Sequence, residues 1–175
     1  MTDREQLKHD TYLGIAKNIS ELSRDKNTQV GAVIVAGDGS SVSWGYNGTI
    51  PGFPDDEIPH SRELQELEYI EDGVVHAFSA NKYPFMEHAE ANAIDAGDPI
   101  KMRGSTIYVT HMPCSSCARK IAKHGIKTVC VADHSTAINS SVGADDDITK
   151  FIFNTADIHL YVGGKQIHLH TGTKI

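Results

Sequence analysis

Apolar residues along this chain return at two different periods. Tyr12, Leu13, Ala16, Ile19 and Leu22 recur at helical spacing with charged residues between them, which predicts an amphipathic helix from Arg4 to about Leu22. The polar stretch Ser23-Arg24-Asp25-Lys26-Asn27 ends it. Gln29 to Ala36 then carries an unbroken Val-Gly-Ala-Val-Ile-Val run, the pattern of a strand buried on both faces. Gly37-Asp38-Gly39 predicts a hairpin turn into a second strand, Ser41 to Gly45. A polar stretch from Tyr46 to about Pro59 follows, broken by Gly48, Pro51, Gly52 and Pro54. Leu64 and Leu67, three apart, suggest a short helix over Ser61 to Tyr69, and Glu71 to Pro84 reads as irregular.

Beyond this insert the pattern alternates. Met86 to Ala96 reads as a helix whose small residues, Ala89, Ala91 and Ala93, suit close packing on a sheet. Ser105 to Thr110 is a strand. Pro113 opens a helix that runs to about His124 and stops at Gly125. Lys127 to Ala132 is a strand, Asp133 to Gly143 a loop, and about Asp145 to Asn154 a helix with Asp145, Asp146 and Asp147 in its first turn. A strand at Ile158 to Val162 and an edge strand at Gln166 to His170 complete the chain. The order predicts an α/β sandwich with a mixed sheet, its first two strands antiparallel and the later ones largely parallel.

Composition narrows the classes of function. The chain has 175 residues, 39% hydrophobic and 22% charged, as expected of one soluble globular domain spanning 1–175 with an insert at about 46–84. No run of about 18 apolar residues occurs, so no membrane span is expected. Met1 to Glu5 lacks the basic and then apolar pattern of a secretory signal. Three cysteines, two of them close together, fit a metal site in a reducing compartment better than a disulfide framework. A cytoplasmic protein is expected, in the host cytoplasm if a virus encodes it. The net charge of −7 opposes a long polyanion and leaves room for a small anion in a local basic pocket.

The chemistry concentrates in two short segments. His88-Ala89-Glu90 supplies an imidazole and a carboxylate at the start of one helix. Pro113-Cys114-Ser115-Ser116-Cys117 supplies two thiols one helical turn apart at the start of another. A helix N-terminus favours the thiolate form that zinc requires. Cys-x-x-Cys alone is shared with redox pairs; its combination with His-x-Glu is the more specific pattern. Cys130, the remaining cysteine, sits mid-strand between Val129 and Val131 and reads as a buried free thiol rather than a fourth ligand. Three protein ligands leave a zinc position open for water, whose pKa the metal lowers to about 7. Glu90 is then the candidate proton carrier.

These segments resemble the zinc-dependent cytidine deaminase superfamily, marked by H-x-E…P-C-x-x-C. The resemblance runs from Asn27 to about Val162 and is strongest to the deoxycytidylate (dCMP) deaminases. Gln29 to Val35, Gly45-Tyr46-Asn47-Gly48, His88 to Ile94 and Tyr108-Val109-Thr110 leading into Pro113 to Ala118 carry it. It implies a three-layer α-β-α sandwich around a mixed five-stranded sheet. It also implies hydrolysis of dCMP to dUMP and ammonia, with His88, Cys114 and Cys117 on one zinc and Glu90 as the catalytic acid and base. Asn27 would meet the sugar hydroxyl, and Asn92 with Lys26 or Arg24 the 5′-phosphate. The resemblance further implies activation by dCTP with magnesium, inhibition by dTTP, and a homo-oligomer, commonly a hexamer. The regulatory nucleotide would meet Gly45, Asn47, Gly48 and Arg62, with Asp55 or Asp56 on its metal. Some relatives carry a second, structural zinc on additional cysteines. No such cysteines occur before Val30 or in the insert, so a single zinc is expected. The other histidines read as surface or packed residues, although His168 and His170 alternate on one side of the tail and could take adventitious metal.

Two other readings compete. One is a related deaminase acting on free cytidine, guanine or tRNA adenosine; the acidic charge argues against the tRNA case. The other is a non-catalytic zinc-stabilised nucleotide sensor, which would have no need of Glu90.

Overall fold

The computed structural model describes residues 2–25, 27–50, 52–53, 57–132 and 143–169. The chain divides into two compact units, residues 1–47 with 88–175, and residues 48–87.

The larger unit opens with helix α1 (Asp3–Ser20), started by a capping box in which Thr2 and Glu5 satisfy each other's backbone N–H groups. Strands β1 (Gly31–Val35) and β2 (Val42–Tyr46) follow as an antiparallel pair. After the smaller unit, which holds β3 (Gly48–Thr49), β4 (Gln65–Glu71), β5 (Val74–Ala80) and β6 (Met86–Glu87), come α2 (Ala89–Asp95), β7 (Thr106–Val109), α3 (Ser115–Lys123) and β8 (Thr128–Val131). Then come α4 (Gly143–Thr155), β9 (His159–Val162) and β10 (Lys165–Ile167). Among the described residues the main sheet runs β10-β9-β8-β7-β1-β2. β7, β8 and β9 are parallel; β1 pairs antiparallel with both β2 and β7. The expected mixed sheet is present, and the tail adds β10 to it as a sixth, antiparallel strand.

Alternation along the strands builds three layers. Ala32 and Ile34, Ile107 and Val109, Val129 and Val131, and Leu160 point to one face, where Ala89, Ala93, Ala118, Ile121 and Phe153 from α2, α3 and α4 cover them. Val33, Val35, Tyr108 and Cys130 point to the other, under Ala16, Tyr12, Leu13 and Ile19 of α1. Cys130 is thus a buried thiol of the α1 face, and burial pushes its pKa up to about 12. It stands outside the thiol cluster described below.

In the smaller unit, β3 (Gly48–Thr49) pairs with β6 (Met86–Glu87), and β4 (Gln65–Glu71) pairs with β5 (Val74–Ala80). This corrects two expectations. The segment read as a helix over Ser61 to Tyr69 is a four-residue run-in followed by Gln65 to Tyr69 of β4. The segment read as irregular is β5 followed by a 3-10 turn at Tyr83–Phe85. Leu67 and Tyr69 alternate with Glu66 and Glu68, a strand period, and Asp72 and Gly73 both take positive φ (52° and 80°), as a tight hairpin turn requires. Two helix starts also move. α2 begins at Ala89 rather than Met86, because Met86 and Glu87 pair with β3. α3 begins at Ser115, with Pro113 two residues before it.

Candidate metal centre and active site

Both chemistry-bearing segments are N-caps. His88 (φ −80°, ψ 150°) precedes the first helical residue of α2, and its carbonyl accepts the Asn92 N–H at 3.0 Å. Cys114 (φ −71°, ψ 167°) does the same for α3, its carbonyl accepting the Ala118 N–H at 2.8 Å. Neither side chain caps its own helix, so imidazole and thiol are left to face one another.

The approach of α2 to the sheet depends on β2. A Cβ on Gly45 would lie 2.6 Å from the Ala89 carbonyl oxygen and 2.7 Å from Asn92 Cβ, so only glycine admits the helix here. On either side of Gly45, Ser43 Oγ donates to the Ala93 carbonyl at 2.9 Å and Asn92 Nδ2 donates to the Tyr46 carbonyl at 2.8 Å. The fully buried Ala89, Ala93 and Ala118 share one core cluster, letting α2 and α3 start side by side.

At that meeting point His88 Nδ1 lies 3.5 Å from Cys114 Sγ and 3.4 Å from Cys117 Sγ. Among the described residues these three are the group able to hold a metal, with donor atoms all within 4.8 Å of one another. A tetrahedral zinc, with Zn–N of about 2.1 Å and Zn–S of about 2.3 Å, needs N···S separations of about 3.6 Å. The donor set therefore fits zinc in both chemistry and spacing.

The electrostatics agree. A hydrogen bond from Cys117, then one from His88, hold the Cys114 thiol down to about 3. The same contact with Cys114, burial and the nearby Glu90 carboxylate push the Cys117 thiol up. Two thiolates this close repel, and a divalent cation is what lets both ionise. Glu90, in the first turn of α2 and 4% exposed, is shifted upward chiefly by burial, with Cys114 adding to it. Its own backbone N–H, His88 and the Cys117 thiol oppose that rise. A carboxyl beside the donor cluster that is drawn toward its protonated form is suited to take and return a proton.

The other expected site residues lie as follows. Asn27 is exposed, its N–H donating to Asp25 Oδ1 at 2.9 Å in an Asx turn. Arg24 and Arg62 are exposed. Asn92 is half-buried, with one amide hydrogen committed to Tyr46. The Asn47 carboxamide brackets the entry to β1: Oδ1 accepts the Val30 N–H at 2.7 Å and Nδ2 donates to the Thr28 carbonyl at 2.9 Å. Gly48 belongs to β3. Lys26, Asp55, Asp56, His134, His170 and the loop expected at 133–142 lie outside the described residues.

Sequence reasoning missed two residues of α4. Asp145 Oδ2 accepts the Ser115 N–H at 3.0 Å, and Thr149 Oγ1 donates to the Pro113 carbonyl at 3.1 Å. An acidic run at a helix start signals a cap for that helix, and nothing in the sequence indicates that Asp145 serves another.

Residues 6–133 match the family model described as the cytidine and deoxycytidylate deaminase zinc-binding region. The chain belongs to this family. It is 38% identical to a probable deoxycytidylate deaminase of Caenorhabditis elegans over 128 residues, 73% of this chain and 58% of that one. It is 35% identical to the Homo sapiens deoxycytidylate deaminase over 118 residues, 67% of this chain and 60% of that one. The chain thus spans less than two thirds of the length of these relatives. Among solved structures, the dCMP deaminase of cyanophage S-TIM5 in complex with dCMP and dUMP matches with a TM-score of 0.58 and 25% identity, covering 93% of this chain and 98% of that one.

Proposed function

We propose that this chain is a zinc-dependent deaminase converting dCMP and water to dUMP and ammonia. The observation that carries the reading is the placement of His88 Nδ1 at 3.4 and 3.5 Å from two sulfurs, beside a buried carboxyl shifted toward protonation. His88, Cys114 and Cys117 would hold the zinc, which when bound lowers the pKa of a water ligand to about 7. Glu90 takes one proton from the attacking water and delivers it to N3 of the cytosine, then takes the second from the hydroxyl now on C4 and passes it to the departing amine. Each uptake and delivery together return Glu90 to its carboxylate form. Burial keeps Glu90 from exchanging these protons with bulk solvent.

The family likeness and the names of the relatives support dCMP as substrate. Asn27, whose carboxamide is exposed, suits the sugar hydroxyl. Asn92, Lys26 and Arg24 are assigned to the 5′-phosphate. We extend the proposal, on the sequence resemblance, to activation by dCTP with magnesium and inhibition by dTTP, through Gly45, Asn47, Gly48, Arg62, Asp55 and Asp56. Self-association is part of the same reading. Ile70, Val74, Val75 and Phe78 remain exposed on the β4–β5 hairpin at 73%, 57%, 58% and 42%, which supports it.

The test is the loss of cytosine absorbance with dCMP, cytidine and dCTP offered in turn. Turnover of dCMP in preference to the others is expected. Turnover of cytidine but not dCMP would reassign the substrate, and zinc binding with no turnover at all would make the chain a sensor.

A further inference from the structure

We infer that Asp145 and Thr149, on one face of α4, are positioning residues that fix the backbone of Cys114 for metal binding. This rests on the reading of His88, Cys114 and Cys117 as zinc ligands. The two hydrogen bonds fall on the two peptide units that flank Cys114. The Pro113 carbonyl, held by Thr149, belongs to the unit whose rotation is φ of Cys114; the Ser115 N–H, held by Asp145, belongs to the unit whose rotation is ψ. Together they hold both backbone torsions of a residue whose thiol faces His88 and does not cap its own helix.

The alternatives open to these side chains show that the arrangement is particular. Thr11 and Thr155, also helical, turn their hydroxyls back to their own i−4 carbonyls, Leu7 at 2.7 Å and Phe151 at 2.8 Å. Thr149, fully buried, reaches across to Pro113 instead. Asp145 and Thr149 are four residues apart, so one helix face presents both contacts at once. The Ser115 N–H, at the first helical position of α3, is one of the helix's orphan donors that no side chain at the cap position would reach, and it is satisfied from α4. Outer partners that orient a ligand change metal affinity by roughly 10–100-fold.

The experiment compares zinc release to a chromogenic chelator, and the absorption spectrum of the cobalt-substituted protein, across a variant set. Asp145→Ala and Thr149→Val should each release zinc about tenfold faster or more and shift the cobalt–thiolate bands. Asp145→Asn, which keeps an acceptor oxygen, and Thr149→Ser, which keeps the hydroxyl, should stay close to wild type. Asp147→Ala removes the same charge from the same turn at an exposed position and should change neither readout. Wild-type release and spectra in Asp145→Ala and Thr149→Val would overturn the inference, as would an equal effect of Asp147→Ala. A wild-type protein that takes up no zinc, or a Cys114→Ala variant with full zinc occupancy, would instead overturn the ligand assignment beneath it.

Discussion

Gly45 and Ala93 meet backbone to backbone: a Cβ on Gly45 would stand 2.5 Å from the Ala93 nitrogen. This contact sets how close α2, with His88 and Glu90 in and before its first turn, lies to the sheet. Gly45→Ala must push the helix away, since the obstacle is backbone and not a side chain able to turn aside. The expected cost is about 1–3 kcal/mol of stability in urea unfolding, with a fall in zinc occupancy as His88 moves. Unchanged stability and unchanged metal content would show that the helix position does not depend on this contact.

Asn47 is engaged on both atoms of its carboxamide. Asn47→Ala would strand the Val30 N–H and the Thr28 carbonyl, at a cost of about 1–3 kcal/mol. Chemical denaturation measures this directly. A variant with wild-type stability but altered response to dCTP would mean that the side chain acts on nucleotide and not on the entry to β1.

His9 offers a pH test far from the metal donors. Its ring packs edge-on against Tyr108 and Tyr161, at centroid distances of 5.5 and 5.4 Å, and its Nδ1 is buried with no hydrogen-bond partner among the described residues. Burial lowers its pKa below the usual histidine value, with Asp10 and Glu5 opposing. The unfolded chain therefore takes up the proton first as pH falls. Stability owed to neutral His9 is full above about pH 6.5 and is lost as pH drops through the lower folded-state value. Wild type should lose stability relative to His9→Phe between about pH 7.5 and pH 5. A constant difference between the two across that range would contradict the assignment.

The sequence made the site more legible than the insert. His88-x-Glu90 and Pro113-Cys114-x-x-Cys117 announce themselves because few chemistries need those groups at those spacings, and both lie at helix starts where the pattern placed them. The strands of the main sheet were legible because burial on both faces leaves unbroken β-branched runs such as Val33-Ile34-Val35. The β4–β5 hairpin is hidden because Leu64 and Leu67 imitate a helical pair, while the alternation of Leu67 and Tyr69 with glutamates and the Asp72-Gly73 turn carry the true signal. The Asp145 and Thr149 contacts were not legible at all. They depend on how two helices pack, and a carboxylate at a helix start looks the same whether it caps its own helix or its neighbour.

Glu90→Gln separates proton transfer from metal binding. The amide preserves size and packing and cannot shuttle a proton. Zinc occupancy should be unchanged while dCMP turnover falls by about 10²–10⁴-fold. Turnover within a few fold of wild type would remove Glu90 from the reaction.

The central claim is that a metal held by His88, Cys114 and Cys117 is required for dCMP turnover. The direct measurement is the rate of dCMP conversion by protein stripped of metal with a chelator and then titrated with zinc. Activity should vanish on stripping and return in proportion to added zinc, reaching its plateau at one equivalent per chain. Undiminished conversion by the fully stripped protein would contradict the account.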